Sequence, residues 1–374
     1  MEKKKVLFFI PTLGHGGAER VLLNLAHNMD CEKYDVTIQT MFDVGVYKDQ
    51  IKPHVKYIPG FKHYFRGNTI VAKLFSPRFL YKHYVKEDYD VIISYLEGPS
   101  ARVVSGCTNK STKLVSWIHV EQENIKVASK SFRSYKEALK SYNRFDNTVC
   151  VSKTVLDDFV KIFDYKKPIE VLYNTVETDE IKEKANEKID DIEFSKEKIN
   201  LVSVAKLMYT KGYDRLIGVA KRLKDEGFPI HVYIVGVGEE KDSLESKIKE
   251  NGLENDWTFV GFRSNPYKYV KNADLYVCSS RREGFSTAVT ESLIVGTPVV
   301  STNCSGAKEL LGENNEYGIV TENNEEALYQ GLAKMLGEKG LLEHYKQKAK
   351  ERGEKFDKKN TVKLVEDMIE RVLG

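Results

Sequence analysis

No stretch of this chain approaches the ~20 consecutive apolar residues that a membrane-spanning helix requires. The apolar part of the N-terminus runs only from Val6 to Ile10, too short for a signal peptide, so a cytoplasmic protein is expected. Cysteine is scarce: Cys31, Cys107, Cys150, Cys278 and Cys304 are odd in number, scattered mostly through apolar runs, and never at metal-ligand spacing. They read as reduced core residues. Charge of one sign is also lacking, with a net of +3 and no recognisable nucleic-acid module, which argues against a nucleic-acid partner. The dinucleotide fingerprint is missing too, because Gly14, Gly16 and Gly17 have the wrong spacing, so no nicotinamide or flavin cofactor is expected. Neither a metal cluster nor a nucleophile constellation is evident. Asp88-Tyr-Asp90 matches a D-x-D pattern that holds Mg²⁺ or Mn²⁺ elsewhere, but it stands at the start of a strand, away from the ligand edge, and no metal is expected.

What is present is a chain of 374 residues, 41% hydrophobic and 30% charged, long enough for two buried cores. Short apolar strands at Val6–Ile10, Val36–Met41, Val55–Ile58, Val91–Leu96, Leu114–Ile118, Thr148–Val151 and Glu170–Tyr173 alternate with helical stretches near 68–87, 100–106, 128–143 and 153–163. Between Asn174 and Lys198 the composition turns to Glu, Lys, Asp and Asn, which reads as an exposed, partly helical connection. A second alternation follows, with strands Leu201–Val204, His231–Val235, Thr258–Val260, Leu275–Cys278, Pro298–Ser301 and Gly318–Val320. The segment from about Leu341 to Gly374 reads as helical and longer than the second domain needs. The pattern predicts two α/β domains, each a doubly wound parallel sheet.

The stretch from Ser279 to Ser301 carries the strongest chemical signal. A buried strand leads through Gly284 and a Ser286/Thr287 N-cap into a short helix ending at Gly296. A glycine turn at a helix N-terminus aims backbone N–H groups and the positive dipole end at one point, which suits a phosphate. Glu283 and Glu291 frame it. A carboxylate beside a phosphate repels it unless it binds hydroxyls, so both are assigned to sugar. The plain alternative is a surface Glu before a turn and a solvated helical Glu. Lys206-Leu-Met-Tyr-Thr-Lys211-Gly212 follows the first strand of the second domain and brings two ammonium groups to the same sheet edge, as a diphosphate would need; a pair of solvated loop lysines is the plain alternative. Val235-Gly236-Val-Gly is a second, weaker glycine turn. In the first domain, the Gly14–Gly17 loop opens a βαβ unit, and His119 and Glu97 stand at strand ends on the edge where open α/β sheets bind ligands, a purely structural histidine being the alternative.

Charge is uneven along the chain: residues 1–170 hold 27 Lys/Arg against 19 Asp/Glu, and the rest is net acidic. Lys62, Arg66, Lys73, Arg78, Lys82 and Lys86 interleave with Phe61, Tyr64, Phe65, Phe75, Phe79, Tyr81 and Tyr84. Basic residues mixed with aromatics suit an anionic membrane surface or a lipid-linked phosphorylated ligand. A solvated helix with its aromatics in the core is the alternative.

Taken together, Glu283-Gly-Phe-(x)5-Glu291 after Ser279-Ser280, the Lys206/Lys211 loop, Gly14-His-Gly-Gly-Ala-Glu-Arg20, Cys150-Val-Ser-Lys153 and Tyr173-Asn-Thr-Val176 resemble family 4 retaining glycosyltransferases of the GT-B fold, over nearly the whole chain. The resemblance implies two Rossmann-like doubly wound domains facing across a cleft. Residues 1–175 would bind the acceptor, 176–355 the nucleotide sugar, and 356–374 would be a helix returning to the first domain. It implies Glu291 on the ribose hydroxyls, and Glu283, Gly284, Phe285 and Ser286 at the transferred sugar and phosphates. Lys206 and Lys211 would face the diphosphate, with Gly16 and Gly17 approaching it and His119 touching the donor sugar. Gly236, Phe262 and Arg263 would lie along the base. Lys206 departs from the family, which usually has Arg there; Lys keeps the charge and loses the bidentate fork. The implied activity is transfer of a hexose or N-acetylhexosamine from a UDP-sugar to a glycan acceptor, lipid-linked, in surface polysaccharide or glycoconjugate synthesis, without a metal and peripheral on the inner membrane face through 61–86. A soluble transferase on a small metabolite, a non-catalytic nucleotide-sugar-binding subunit and a sugar-nucleotide epimerase are the competing readings.

Overall fold

The computed structural model describes residues 2–14, 16–62, 64, 67–122 and 124–374. His15 of the glycine loop and Phe65 and Arg66 of the basic aromatic stretch lie outside the described residues. The backbone divides into two compact units: Met1–Val176 with Lys358–Gly374, and Glu177–Asp357.

The first unit is built on seven strands: β1 (Lys4–Ile10), β2 (Tyr34–Thr40), β3 (Lys56–Ile58), β4 (Val91–Ser94), β5 (Lys113–Ile118), β6 (Asn147–Cys150) and β7 (Ile169–Val171). They pair in the order β3-β2-β1-β4-β5-β6-β7, all parallel. Phe8 aligns with Ile38 on one side and Ile93 on the other, and all three are fully buried. Helices cover both faces of such a sheet, so its central strands have no polar face and read as continuous apolar runs.

The second unit repeats the plan with β8 (Ile199–Val204), β9 (Ile230–Val235), β10 (Trp257–Gly261), β11 (Leu275–Cys278), β12 (Val299–Thr302) and β13 (Ile319–Thr321). Their order is β10-β9-β8-β11-β12-β13, again all parallel. In each sheet the winding reverses once, between β1 and β4 and between β8 and β11. Loops leaving the carboxyl ends of those strand pairs part in opposite directions and leave room for a ligand.

The helices differ from the sequence reading where caps interrupt them. The stretch 68–87 is two short helices, Asn68–Ala72 and Pro77–Tyr84. Ser76 caps the second, its Oγ accepting from Phe79 N at 3.2 Å, and Pro77 at the first helical position has no N–H to continue the first. Likewise 128–143 resolves into Ile125–Ala128, capped by Asn124, and Tyr135–Tyr142, capped by Ser134. The charged connection is a packed flank of the second unit: helix Thr178–Lys184 buries Ile181, and Ala185 follows it into the core. Composition reported the charges and concealed these anchors. The C-terminal segment breaks after helix Leu341–Gly353, and the final helix, Lys358–Leu373, belongs to the first unit. There Val362, Val365, Met368 and Ile369 are buried, Glu370 accepts from Tyr34 Oη at 2.6 Å, and Arg371 pairs with Glu170 at 2.6 Å. No helix of the described residues is long and apolar enough to cross a membrane.

Candidate functional site

In the second unit, the exits of β8 and β11 are sewn to each other. After β8 the chain turns through Tyr209–Lys211 to Gly212, whose φ of +67° suits glycine; a Cβ there would stand 2.1 Å from Ser279 O. This close approach sets the Lys211 ammonium 2.7 Å from Glu283 Oε1, to which Ser280 Oγ also donates at 2.6 Å. Ser279 Oγ returns a bond to Lys211 O at 2.8 Å. Burial alone would lower the Lys211 pKa, but the facing Glu283 carboxylate outweighs it and holds the ammonium above its usual range. A cation kept charged in a largely covered position can stabilise negative charge that develops beside it. Lys206, on the same loop, is exposed and has no partner among the described residues.

Three residues that sequence reasoning passed over hold this arrangement. The buried Arg215 donates from Nε and Nη2 to Ser279 O at 2.8 and 2.6 Å, and from Nη2 to Ser280 O at 2.6 Å and to Asn323 Oδ1 at 2.8 Å. Arg281 forks onto Asp214 at 2.6 and 2.8 Å with its guanidinium over the Tyr209 ring, and its N–H donates to Thr210 O at 2.7 Å. Thr302 Oγ1 donates to Ser280 O at 2.6 Å. The one available signal was an Arg inside an otherwise apolar helical face, at 215.

The helix after the turn is Thr287–Val295, with Ser286 as N-cap, its Oγ accepting from Val289 N, and Gly296 at φ +81° ending it. Gly284 and Phe285 are buried, and Glu291 sits partly exposed on the helix. Gly236 leaves β9 at φ +153°, where a Cβ would come 1.9 Å from Ala205 O, so the two adjacent loops press together as only glycine allows. Beyond β10, Phe262 is half exposed, while Arg263 is taken up by Asp191, 2.6 Å away, which also accepts from Tyr269 Oη. Lys206, Lys211, Gly236, Phe262, Arg263, Glu283, Gly284 and Phe285 thus leave the carboxyl ends of β8, β9, β10 and β11, four neighbours at one edge.

In the first unit, Gly16 caps helix Gly17–Asn28 beyond β1, and the Glu19 carboxylate lies over it, so an anion reaching Gly16 must turn that side chain away. His119 follows β5; its N–H donates to Glu97 Oε2 at 2.9 Å. Its ring is buried against Tyr95, 4.7 Å between centroids, and stacks on Trp117. Tyr95 Oη, Trp117 Nε1 and His119 Nε2 have no hydrogen-bond partner among the described residues. Burial pushes the imidazole pKa down to about 3, so His119 is a neutral hydrogen-bonding group. The D-x-D carboxylates are occupied where they stand, Asp90 by Lys5 N at 2.8 Å and Asp88 by Asn109 at 3.0 Å.

The basic aromatic stretch splits between core and surface. Tyr81 is buried, whereas Phe61, Tyr64, Phe75 and Phe79 are exposed along with Ile70, Val71 and Leu74.

Known proteins match nearly the whole chain. Residues 15–180 match the family model described as Glycosyltransferase Family 4, and residues 184–352 match Glycosyl transferases group 1. The chain is 31% identical to N-acetylgalactosamine-N,N'-diacetylbacillosaminyl-diphospho-undecaprenol 4-alpha-N-acetylgalactosaminyltransferase of Campylobacter jejuni, over 99% of this chain and 100% of that one. It is 26% identical to a second Campylobacter jejuni protein, GalNAc-alpha-(1->4)-GalNAc-alpha-(1->3)-diNAcBac-PP-undecaprenol alpha-1,4-N-acetyl-D-galactosaminyltransferase, over 97% and 99% of the two chains. Among solved structures it resembles Anabaena HepE in complex with UDP, with a TM-score of 0.77 and 19% identity over 98% of this chain and 100% of the other.

Proposed function

Because this chain belongs to glycosyltransferase family 4 and has the GT-B fold, we propose that it moves a hexose or N-acetylhexosamine from a UDP-sugar to a lipid-linked glycan acceptor in surface glycan synthesis. The observation that carries the reading is the Lys211–Glu283 pair held where β8 and β11 part. Breaking a glycosyl–diphosphate bond builds negative charge on the leaving oxygen and positive character on the sugar. Lys211 and Lys206 are assigned to the first, assisted by the N-terminus of helix Thr287–Val295. Glu283, Gly284, Phe285 and Ser286 are assigned to the transferred sugar and phosphates, Glu291 to the ribose hydroxyls, and Gly236, Phe262 and Arg263 to the side of the base. Gly16 and Gly17 are assigned to a diphosphate and neutral His119 to a sugar hydroxyl. Residues 1–175 take the acceptor role and 176–355 the donor role. The two Campylobacter relatives, whose names specify undecaprenol-linked substrates, support the lipid-linked acceptor. The exposed aromatic and basic side chains of 61–86 support a cytoplasmic protein that docks peripherally on the membrane face.

The test is a panel of nucleotide sugars screened by thermal shift, followed by UDP release with an undecaprenyl-diphosphate-linked glycan. UDP-sugars are expected to raise the melting temperature and to turn over, in EDTA as in its absence, with the anomeric configuration of the donor kept in the product. Indifference to every UDP-sugar in both assays overturns the donor assignment. Glu291→Ala is expected to weaken UDP binding, and Glu283→Ala to lower turnover with binding largely kept.

A further inference from the structure

A helix end leaves its last carbonyl groups without N–H partners. At the end of helix Asn68–Ala72 the carbonyls of four consecutive residues, of which Ala72 O also accepts from Phe75 N at 3.2 Å, are met by two arginines from distant parts of the first unit. Arg102 donates from Nη1 to Ala72 O at 2.9 Å and from Nη2 to Phe75 O at 2.7 Å. Arg133 donates from Nε to Lys73 O at 2.6 Å and from Nη2 to Leu74 O at 3.1 Å. Glu137 ties the two together: its carboxylate accepts from Arg102 Nε at 3.1 Å and from the Arg133 N–H at 2.7 Å. Arg102 is fully buried, an expensive place for a cation unless its position matters to the fold or to function.

On the outer side of the same segment the chain does the reverse of what a water-facing surface needs. Ile70 is 71% exposed and Leu74 77%, with Val71, Phe75 and Phe79 beside them, the last two rings stacked 4.9 Å apart. The charges interleaved with them are of one sign: from Phe61 to Lys86 the sequence has six Lys or Arg and no Asp or Glu. Exposed apolar side chains interleaved along the chain only with positive charges complement an anionic lipid surface. The arginines add a second argument. In water, or against a protein, exposed carbonyls can take donors from their surroundings; in the apolar zone of a bilayer every backbone polar group must be satisfied from within.

We propose that the segment Gly67–Phe79 is a preformed membrane-insertion spur, the carbonyls of its residues 72–75 taken up by the buried Arg102 and the half-exposed Arg133 so that Ile70, Leu74, Phe75 and Phe79 can enter the apolar zone of an anionic bilayer. It rests on the reading that the protein works on a lipid-linked acceptor at a membrane face, and it adds which residues insert and what makes their backbone fit to do so. The closure also holds the spur in one conformation, so the ordering that an unstructured loop would undergo on binding is already done.

The experiment uses the full chain with sedimented vesicles of phosphatidylcholine alone or with phosphatidylglycerol, together with turnover on a water-soluble glycan acceptor. The wild type is expected to bind the anionic vesicles at least tenfold better than the neutral ones. Leu74→Glu should cut that binding about tenfold, and Arg133→Gln, which leaves every apolar side chain in place, should cut it severalfold. Both should retain the melting temperature to within a few degrees and keep turnover on the soluble acceptor. Leu74→Trp should be quenched by bromolipids placed below the headgroups, above the signal of the natural tryptophans. Unchanged binding in Leu74→Glu, or a Leu74→Trp that lipids do not quench, overturns insertion. Unchanged binding in Arg133→Gln overturns the closure. A wild type that ignores vesicles and self-associates, with Leu74→Glu making it monomeric, assigns the face to contact between copies and overturns the proposal. Vesicle binding without any glycosyl transfer would instead reject the transferase reading and leave the spur standing.

Discussion

Lys211 and Glu283 are 72 residues apart in sequence and 2.7 Å apart in space, both side chains largely covered, at the carboxyl ends of two adjacent parallel strands. Their pairing keeps the lysine charged while nothing anionic is bound.

Replacing Lys211 by Gln is expected to lower kcat by about 10²-fold, the usual effect of removing one electrostatic stabiliser of a developing anion. Glu283→Gln should reduce kcat as well, and the double variant should lose less than the product of the two single losses, because each partner orients the other. Additive losses would show that the pair is not a unit. The Lys211 pKa is raised in the folded state, so its contribution to stability is fully present below the unfolded value of 10.5 and is lost as pH climbs through the folded value. In Lys211→Gln that alkaline loss should be smaller, as measured by chemical unfolding from pH 10.5 upward.

Arg215→Lys tests the support behind the pair. Lysine has one donor point where the guanidinium fork serves Ser279 O and Ser280 O together. A loss of about 2–3 kcal/mol in unfolding free energy is expected, with kcat falling more than KM rises. A fully active, fully stable Arg215→Lys would mean that the strand exit holds its shape unaided.

At Gly212 the prediction is purely steric. Alanine there would have to adopt φ near +67° and place a Cβ 2.1 Å from Ser279 O, so the loop must shift away. Gly212→Ala should cost at least about 1–2 kcal/mol and weaken nucleotide binding through the displaced Lys211. Gly227→Ala is the control: its φ is +88°, but nothing stands near a Cβ there, so it should show the backbone cost without the loss of binding.

His119 supplies a pH test. Its folded pKa, held at about 3 by burial, lies below the unfolded value of 6.5, so its contribution to stability is fully present above pH 6.5 and is lost as pH drops toward 3, because only the unfolded chain takes up the proton in that range. His119→Asn should flatten that part of the stability profile. Because the imidazole is neutral throughout, the variant should lower turnover without moving any limb of the activity profile between pH 5.5 and 8. A limb that vanishes with the histidine would show that it titrates there.

Much of the fold was legible because its signals are local. Apolar runs such as Val6–Ile10 and Leu275–Cys278 are strands buried on both faces, and their alternation with amphipathic helices dictates parallel sheets. The Ser286 cap and Gly296 stop could be read from residue type and position, since capping is decided within a few residues. The helix break at Ser76-Pro77 is equally local, a serine cap followed by a proline, inside a stretch whose composition reads as one helix. The connection after Asn174 misled for a different reason: its charges dominate composition, while two small apolar anchors, Ile181 and Ala185, decide that it packs.

By itself the sequence determined two doubly wound units, the loops at one sheet edge, and the residue types suited to a sugar and a diphosphate. Only the tertiary structure decided partnership: that Lys211 meets Glu283, that Arg215 grips Ser279 and Ser280, that His119 is sealed and neutral, and that Arg102 and Arg133 close the carbonyls of residues 72–75. The physical reason is distance along the chain. Periodicity, caps and turns arise among neighbours, whereas a charge's partner and its loss of water depend on which remote segments the sheets bring together.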